Sequence, residues 1–297
     1  MSLALGRRAP AHAASARRTR RPLMARGVLN GLLAVFTVYT VMPLAWLVIA
    51  ATKDAGDLFA HPGFALGDLN LVTNLRLLFT YDNGIYLRWF GNSFIYSVLG
   101  SLAGTMLSVM VGYAFDKYDF RFKEKLFGFI LLGVLVPAAA TQLPLYLMFS
   151  QAGLLNTYWC VLLPALVNPF GVYLSRVFSE GYVPDEVLEA SRMDGAGEFT
   201  IFRRVSLPML GPGFITIFLF SFTGSWNNFF TPLVMLSRDD LYPVNLGLYA
   251  WNSTTSQTPL YYQLSITGSL VAVIPLIVAF IMLQRFWKAG LTAGAVK

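Results

Sequence analysis

Residues 184–212 read PDEVLEASRMDGAGEFTIFRRVSLPMLGP, a polar segment set between two strongly apolar runs. Pro184 suits a first helical position, and Asp185 and Glu186 complement the positive end of the helix dipole there. Val187 and Leu188, then Ala190 and Ser191, then Asp194 and Gly195 recur at helical spacing, and Gly195 is placed to end the helix in a left-handed conformation. Phe199, Phe202 and Val205 then recur every three residues, with Arg203 and Arg204 on another side, before Leu207-Pro208 closes the segment. The expected product is a compact helix–turn–helix, small-sided at its turn and able to sit in a groove on another protein.

The flanking runs set the class. A helix needs about 20 mainly apolar residues to cross the hydrocarbon. Six stretches qualify, approximately Val28–Ala51, Phe90–Phe115, Leu126–Phe149, Tyr158–Ser175, Met209–Phe230 and Tyr262–Gln284. With 56% hydrophobic and 12% charged residues, the composition fits a bilayer rather than water. The expected fold is all-α: a polytopic membrane protein with six transmembrane helices and a cytoplasmic helix–turn–helix loop. The chain then divides into a basic tail (1–27), a membrane domain (28–284, with the loop at 180–208) and a second tail (285–297).

A net charge of +7 raises nucleic acid as a partner, so the placement of the charge decides. Seven Lys and Arg fall in residues 1–27, four in 116–125, four in 176–204 and three in 285–297, against Lys53, Arg76, Arg88 and Arg238 elsewhere. That asymmetry is the positive-inside pattern and puts both termini in the cytoplasm. The Arg-rich leader thus reads as a topogenic, lipid-facing tail, not a nucleic-acid arm. The first apolar run is too long for a cleaved signal peptide. Lone Cys160 reads as a packing residue, and His12 and His61 have no ligand-spaced partners, so no metal site is expected. In the connector Thr52–Leu87, Asn70–Leu78 reads as an interfacial helix.

Proline recurs inside the spans (Pro137, Pro144, Pro164, Pro169, Pro275), which points to kinked helices around a path as well as to the general enrichment of proline in membrane helices. Polar groups in spans usually face the bundle interior. Asn92, Gln142, Asn168, Ser225, Trp226, Asn227 and Asn228 are the candidates for a solute path; helix–helix hydrogen bonding is the competing role for each.

At the 184–212 segment the chain resembles the permease subunits of ABC importers. Their signature, Glu-Ala-Ala, three residues, Gly, nine residues, Ile, one residue, Leu-Pro, stands here as Glu189-Ala190-Ser191, Gly195, Val205 and Leu207-Pro208, with Ser191 and Val205 as small departures. Asp194-Gly195-Ala196 is similar to the carbohydrate form, closest to the MalG-like subunits of the maltose type. So are Asn92-Ser93, Gly153–Thr157, Trp226-Asn227 and the run Gly290–Lys297. The resemblance implies that Glu189, Ala190, Ser191, Asp194, Gly195, Ala196, Phe199, Leu207 and Pro208 form the interface with an ATPase. It implies two ATP-binding subunits, a second, MalF-like permease and an external solute-binding protein, all at the plasma (inner) membrane.

No G-x-x-x-x-G-K-[ST] loop occurs, so ATP and Mg are expected on the partner, with no cofactor and no enzymatic role in this chain. The rival class is an ion-coupled secondary transporter of a small polar solute. It normally needs intramembrane carboxylates, whereas all fifteen acids lie in loops or at helix ends. A membrane-embedded enzyme lacks any catalytic constellation within the spans. The docking segment carries five acids against three Arg, a poor match to an anionic leaflet and a better one to a protein partner.

Overall fold

A computed structural model describes the backbone of residues 23–293 and, in full, residues 27–284. The Arg-rich leader and the end of the Gly290–Lys297 run, which carry the two predicted tails, lie outside the described residues. Two compact units divide the chain, residues 1–46 and 47–297. The first is described by the greater part of α1 (Leu23–Thr52), whose Leu32, Val35, Phe36, Val38 and Tyr39 are each 64–74% exposed. A helix apolar on all sides belongs in lipid.

The second unit begins with the end of α1 and a short α2 (Asp57–Ala60). Next comes α3 (Leu71–Thr80), the helix expected from Asn70–Leu78. A turn with left-handed Asp82, Asn83 and Gly84 redirects the chain into α4 (Ile85–Phe94), which continues through a π-helical turn (Ile95–Leu99) into α5 (Gly100–Lys117). Then follow α6 (Lys123–Leu135), α7 (Ala138–Gln151), α8 (Trp159–Ala165), α9 (Pro169–Tyr182), α10 (Asp185–Met193) and α11 (Glu198–Ile201). A second π-helical turn (Phe202–Ser206) leads to α12 (Leu207–Met209), α13 (Gly211–Trp226), α14 (Phe230–Met235), α15 (Val244–Ser253) and α16 (Leu260–Ala293).

Among the described residues four helices are long and apolar enough to cross a membrane, and two bent pairs bring the number to six if each pair is one span. The expected third span, Leu126–Phe149, is therefore corrected: α6 and α7 meet at 101°. Pro137 is the cause, because it forces Val136 before it into extended backbone (φ −75°, ψ 120°). Pro144, by contrast, sits within α7. The expected fifth span, Met209–Phe230, is likewise shorter. It begins at Gly211, after a 76° bend from the segment ending at Met209, and α13 stops at Trp226. The fourth is interrupted between α8 and α9, where the Asn168 side chain accepts a hydrogen bond from Gly171 N at 2.8 Å and caps α9.

Packing follows residue size. A Cβ on Gly112 of α5 would lie 2.5 Å from Ser175 Cβ and 2.7 Å from Arg176 N, so only glycine lets the α5 and α9 backbones approach this closely. At one end of the unit Tyr86, Trp89, Phe222, Trp226, Trp251 and Leu264 form an aromatic core. Toward the 184–208 segment, Val109, Tyr113, Leu188, Ile201, Phe202 and Ile217 form another. Cys160 is fully buried against Met235 and Leu236, a packing position.

Candidate functional site

The polar segment folds as its residues dictate. Pro184 is extended and α10 starts one residue later, with Asp185 and Glu186 in its first turn. Gly195 takes φ +81°, its N–H donates to Arg192 O at 2.9 Å, and Ala196 N–H donates to Ser191 O at 3.1 Å. This is the paired bonding of a Schellman turn, which satisfies the last carbonyls of α10. Open space surrounds the position a Gly195 side chain would take, so the demand for glycine there is one of backbone conformation alone.

The segment has one buried and one exposed side. Leu188, Ile201 and Phe202 anchor it in the core, whereas Glu189, Ala190, Asp194 and Gly195 are exposed and Met193 and Phe199 protrude at 89% and 70% exposure. Ser191 and Ala196 are half-buried at the turn; Leu207 is half-buried and Pro208 exposed at the far end. The nine residues expected to meet a partner thus lie along one helix–turn–helix, with apolar side chains exposed among acids, an arrangement suited to burial by another protein.

Ion pairs tie this segment to the end of α5. Lys117 Nζ lies 2.7 Å from Asp185 Oδ1 and 3.1 Å from Asp116 Oδ2, with its own side chain 6% exposed. Tyr118 donates to Glu198 Oε2 at 2.8 Å, and Arg192 Nε donates to Glu198 Oε1 at 2.8 Å. The Lys117 ammonium holds the Asp185 carboxyl below its ordinary range; Arg192, and then Tyr118, do the same for Glu198. Both carboxylates are solvent-exposed, so each pair fixes geometry more than it adds stability.

The seven path candidates separate. Asn168, Ser225 and Asn228 line one hollow of about 330 Å³, together with Ser101, Ser221 and Thr231. Asn168 Nδ2 donates to Ser221 Oγ at 2.9 Å, Ser225 Oγ donates to Tyr96 O at 3.2 Å, and Asn228 Oδ1 accepts from Thr231 N at 3.3 Å. The other four do not join them. Asn92 holds the 240–242 turn, donating to Asp240 O and Tyr242 O while accepting from Tyr158. Gln142 donates to Ala138 O, Trp226 is buried with its indole N–H on Ala272 O, and Asn227 is exposed and bonded to Thr223 O. Sequence reasoning missed Ser101 and Ser221, although a signal existed: Ser97, Ser101 and Thr105 recur every four residues, and Ser221 stands four before Ser225. Among the described residues no group of three or more His, Cys, Asp or Glu gathers that could hold a metal.

Among the described residues, up to six spans and a capped helix–turn–helix define a polytopic membrane protein. The family described as "Binding-protein-dependent transport system inner membrane component" matches residues 100–291, and the chain belongs to it. It is 34% identical over 268 residues to the arabinooligosaccharides transport system permease protein AraQ of Halalkalibacterium halodurans, covering 89% of this chain and 94% of the relative. It is 31% identical over 259 residues to AraQ of Bacillus subtilis (86% and 90% covered) and 28% identical over 265 residues to the lactose transport system permease protein LacG of Rhizobium radiobacter (89% and 94%). Among solved structures, a bacterial ABC transporter involved in the import of the acidic polysaccharide alginate shares the fold, with TM-score 0.76 at 23% identity over 89% of this chain and 97% of that one. The protein is therefore an ABC-importer permease, a membrane component of a binding-protein-dependent transport system.

Proposed function

We propose that this permease carries an oligosaccharide or similar hydroxyl-rich solute into the cell, driven by ATPase subunits that dock on residues 180–208. The capped turn at Gly195 carries the reading: it presents Glu189, Asp194 and Phe199 outward while Leu188, Ile201 and the Lys117–Asp185 pair bind it to the membrane helices. A rigid segment exposed on one side and anchored on the other can pass a partner's motion to the bundle, switching it between two packings. Two ATP-binding subunits, holding ATP and Mg, a second MalF-like permease and an external binding protein complete the assembly. The solved alginate importer in complex with a periplasmic protein supports a binding-protein partner, and the names of the AraQ and LacG relatives support a sugar. This chain performs no catalysis. Both termini and the loop lie in the cytoplasm, as the placement of Lys and Arg argues. Asn168, Ser225 and Asn228 are the path candidates that share a hollow. Family membership disfavours the rival ion-coupled transporter.

The test is ATP-dependent uptake by the complete importer in proteoliposomes. Gly195→Asp and Glu189→Lys are expected to insert in the membrane yet abolish coupled uptake or release the ATPase. Coupled transport retained by both variants, or uptake driven by an ion gradient without ATP, overturns the proposal.

A further inference from the structure

The hollow between α5, α8, α9, α13 and α14 has features that helix packing alone does not require. Ser101 is 1% exposed, lines it, and its hydroxyl has no hydrogen-bond partner within the protein. Ser97 and Thr105 on the same helix row are buried without a partner in the same way, so it is the whole lining of the hollow, more than this one hydroxyl, that fits a ligand. Phe170 and Phe220 also line it, their rings edge to face at 6.0 Å, giving an apolar wall beside the hydroxyls and amides of Ser221, Asn228 and Thr231. No lining residue is charged. A volume of about 330 Å³ stands at the low end of the roughly 300–1,000 Å³ typical of small-molecule sites. Gly224 borders the hollow, and open space surrounds the position of a Cβ there.

We infer that this hollow is a selectivity site which takes a neutral, hydroxyl-bearing ring of the transported solute, with Gly224 setting the bulk that passes. This rests on the importer reading. Sugar hydroxyls meet Ser221 and Asn228, while the C–H face of the ring meets the phenyl groups. A carboxylate or phosphate finds no cation here, so the loss of its water is met only by neutral donors. Because a Cβ at position 224 meets no atom within 4 Å, a side chain built out from it adds bulk at the border of the hollow.

The experiment uses the complete importer in proteoliposomes, with labelled arabinotriose, lactose and maltotriose as the solutes and Gly224→Ala, Gly224→Val and Gly224→Phe as the series. Uptake is expected to fall stepwise with side-chain size, by about tenfold or more for Gly224→Phe, while binding-protein-stimulated ATP hydrolysis is kept. Gly224→Cys is also treated with a water-soluble, membrane-impermeant thiol reagent, against a background in which Cys160 is fully buried. Labelling is expected, because the hollow is part of an aqueous path. Wild-type uptake with an unaltered rate in Gly224→Phe overturns the inference, as does a Gly224→Cys that reacts only with a lipid-soluble reagent. Absence of ATP-dependent uptake of all three sugars by the wild type sinks the sugar-importer reading instead, and the thiol labelling still decides whether the hollow is wet.

Discussion

Two hollows flank α13, and its two faces make them opposites. On one side Ser221, Gly224 and Ser225 border the neutral polar hollow. On the other, Phe218 and Phe222 join Phe90, Phe94, Val98 and Pro275 around a hollow of about 470 Å³ walled almost entirely by hydrocarbon. The helix running through residues 85–117 repeats the division: Phe90, Phe94 and Val98 recur every four residues on one row, Ser93, Ser97, Ser101 and Thr105 on the next. What differs is the work each face does. Within a bilayer, apolar surface gains nothing from association except packing, whereas hydroxyls need partners from helices, water or solute. The aromatic face therefore packs the helices, and the hydroxyl face divides between bonds to neighbouring helices and the border of the polar hollow.

Substitutions should separate the two roles. The largest effect belongs to Phe222→Ser, which removes a ring 5% exposed and 5.8 Å from that of Trp226. Thermal unfolding of the purified assembly should show a loss of about 3–5 kcal/mol, and a loss no greater than that of a polar-face variant erases the contrast. On the hydroxyl face, Asn168→Ala removes both the cap of α9 and the bond to Ser221, and should cost about 1 kcal/mol by the same measurement. Ser221→Ala, which leaves the cap intact, should cost only about 0.6 kcal/mol.

The smallest effect concerns pH. The polar hollow holds no titratable group, so acid sensitivity arises outside it, at ion pairs such as those of the 184–208 segment. The folded-state values of Asp185 and Glu198 are lowered by Lys117 and by Arg192 with Tyr118. Their contribution is then present above the ordinary carboxylate range and is lost as pH falls through the lowered values. The spacing between residues 117 and 185, followed with paired spin labels at neighbouring exposed sites, should hold at pH 5 and widen only in stronger acid. Widening at pH 5 would contradict the lowered values.

Much of this molecule is written in local order. Apolar runs of bilayer length fixed the class, the acid-led stretch from Pro184 fixed a helix, and Gly195 fixed its end, because each depends only on neighbouring residues and on the solvent they must face. Proline was legible as a breaker, but not how far it bends the chain: Pro137 turns its span by 101°, whereas Pro144 is absorbed within α7. Which candidate path residues share a hollow was not legible. Asn92 and Asn168 look alike in sequence, yet one is spent on the 240–242 turn and the other borders a hollow with Ser101 and Ser221. Which hydroxyls and amides are consumed by neighbours depends on helices distant along the chain, and only the tertiary packing decided that.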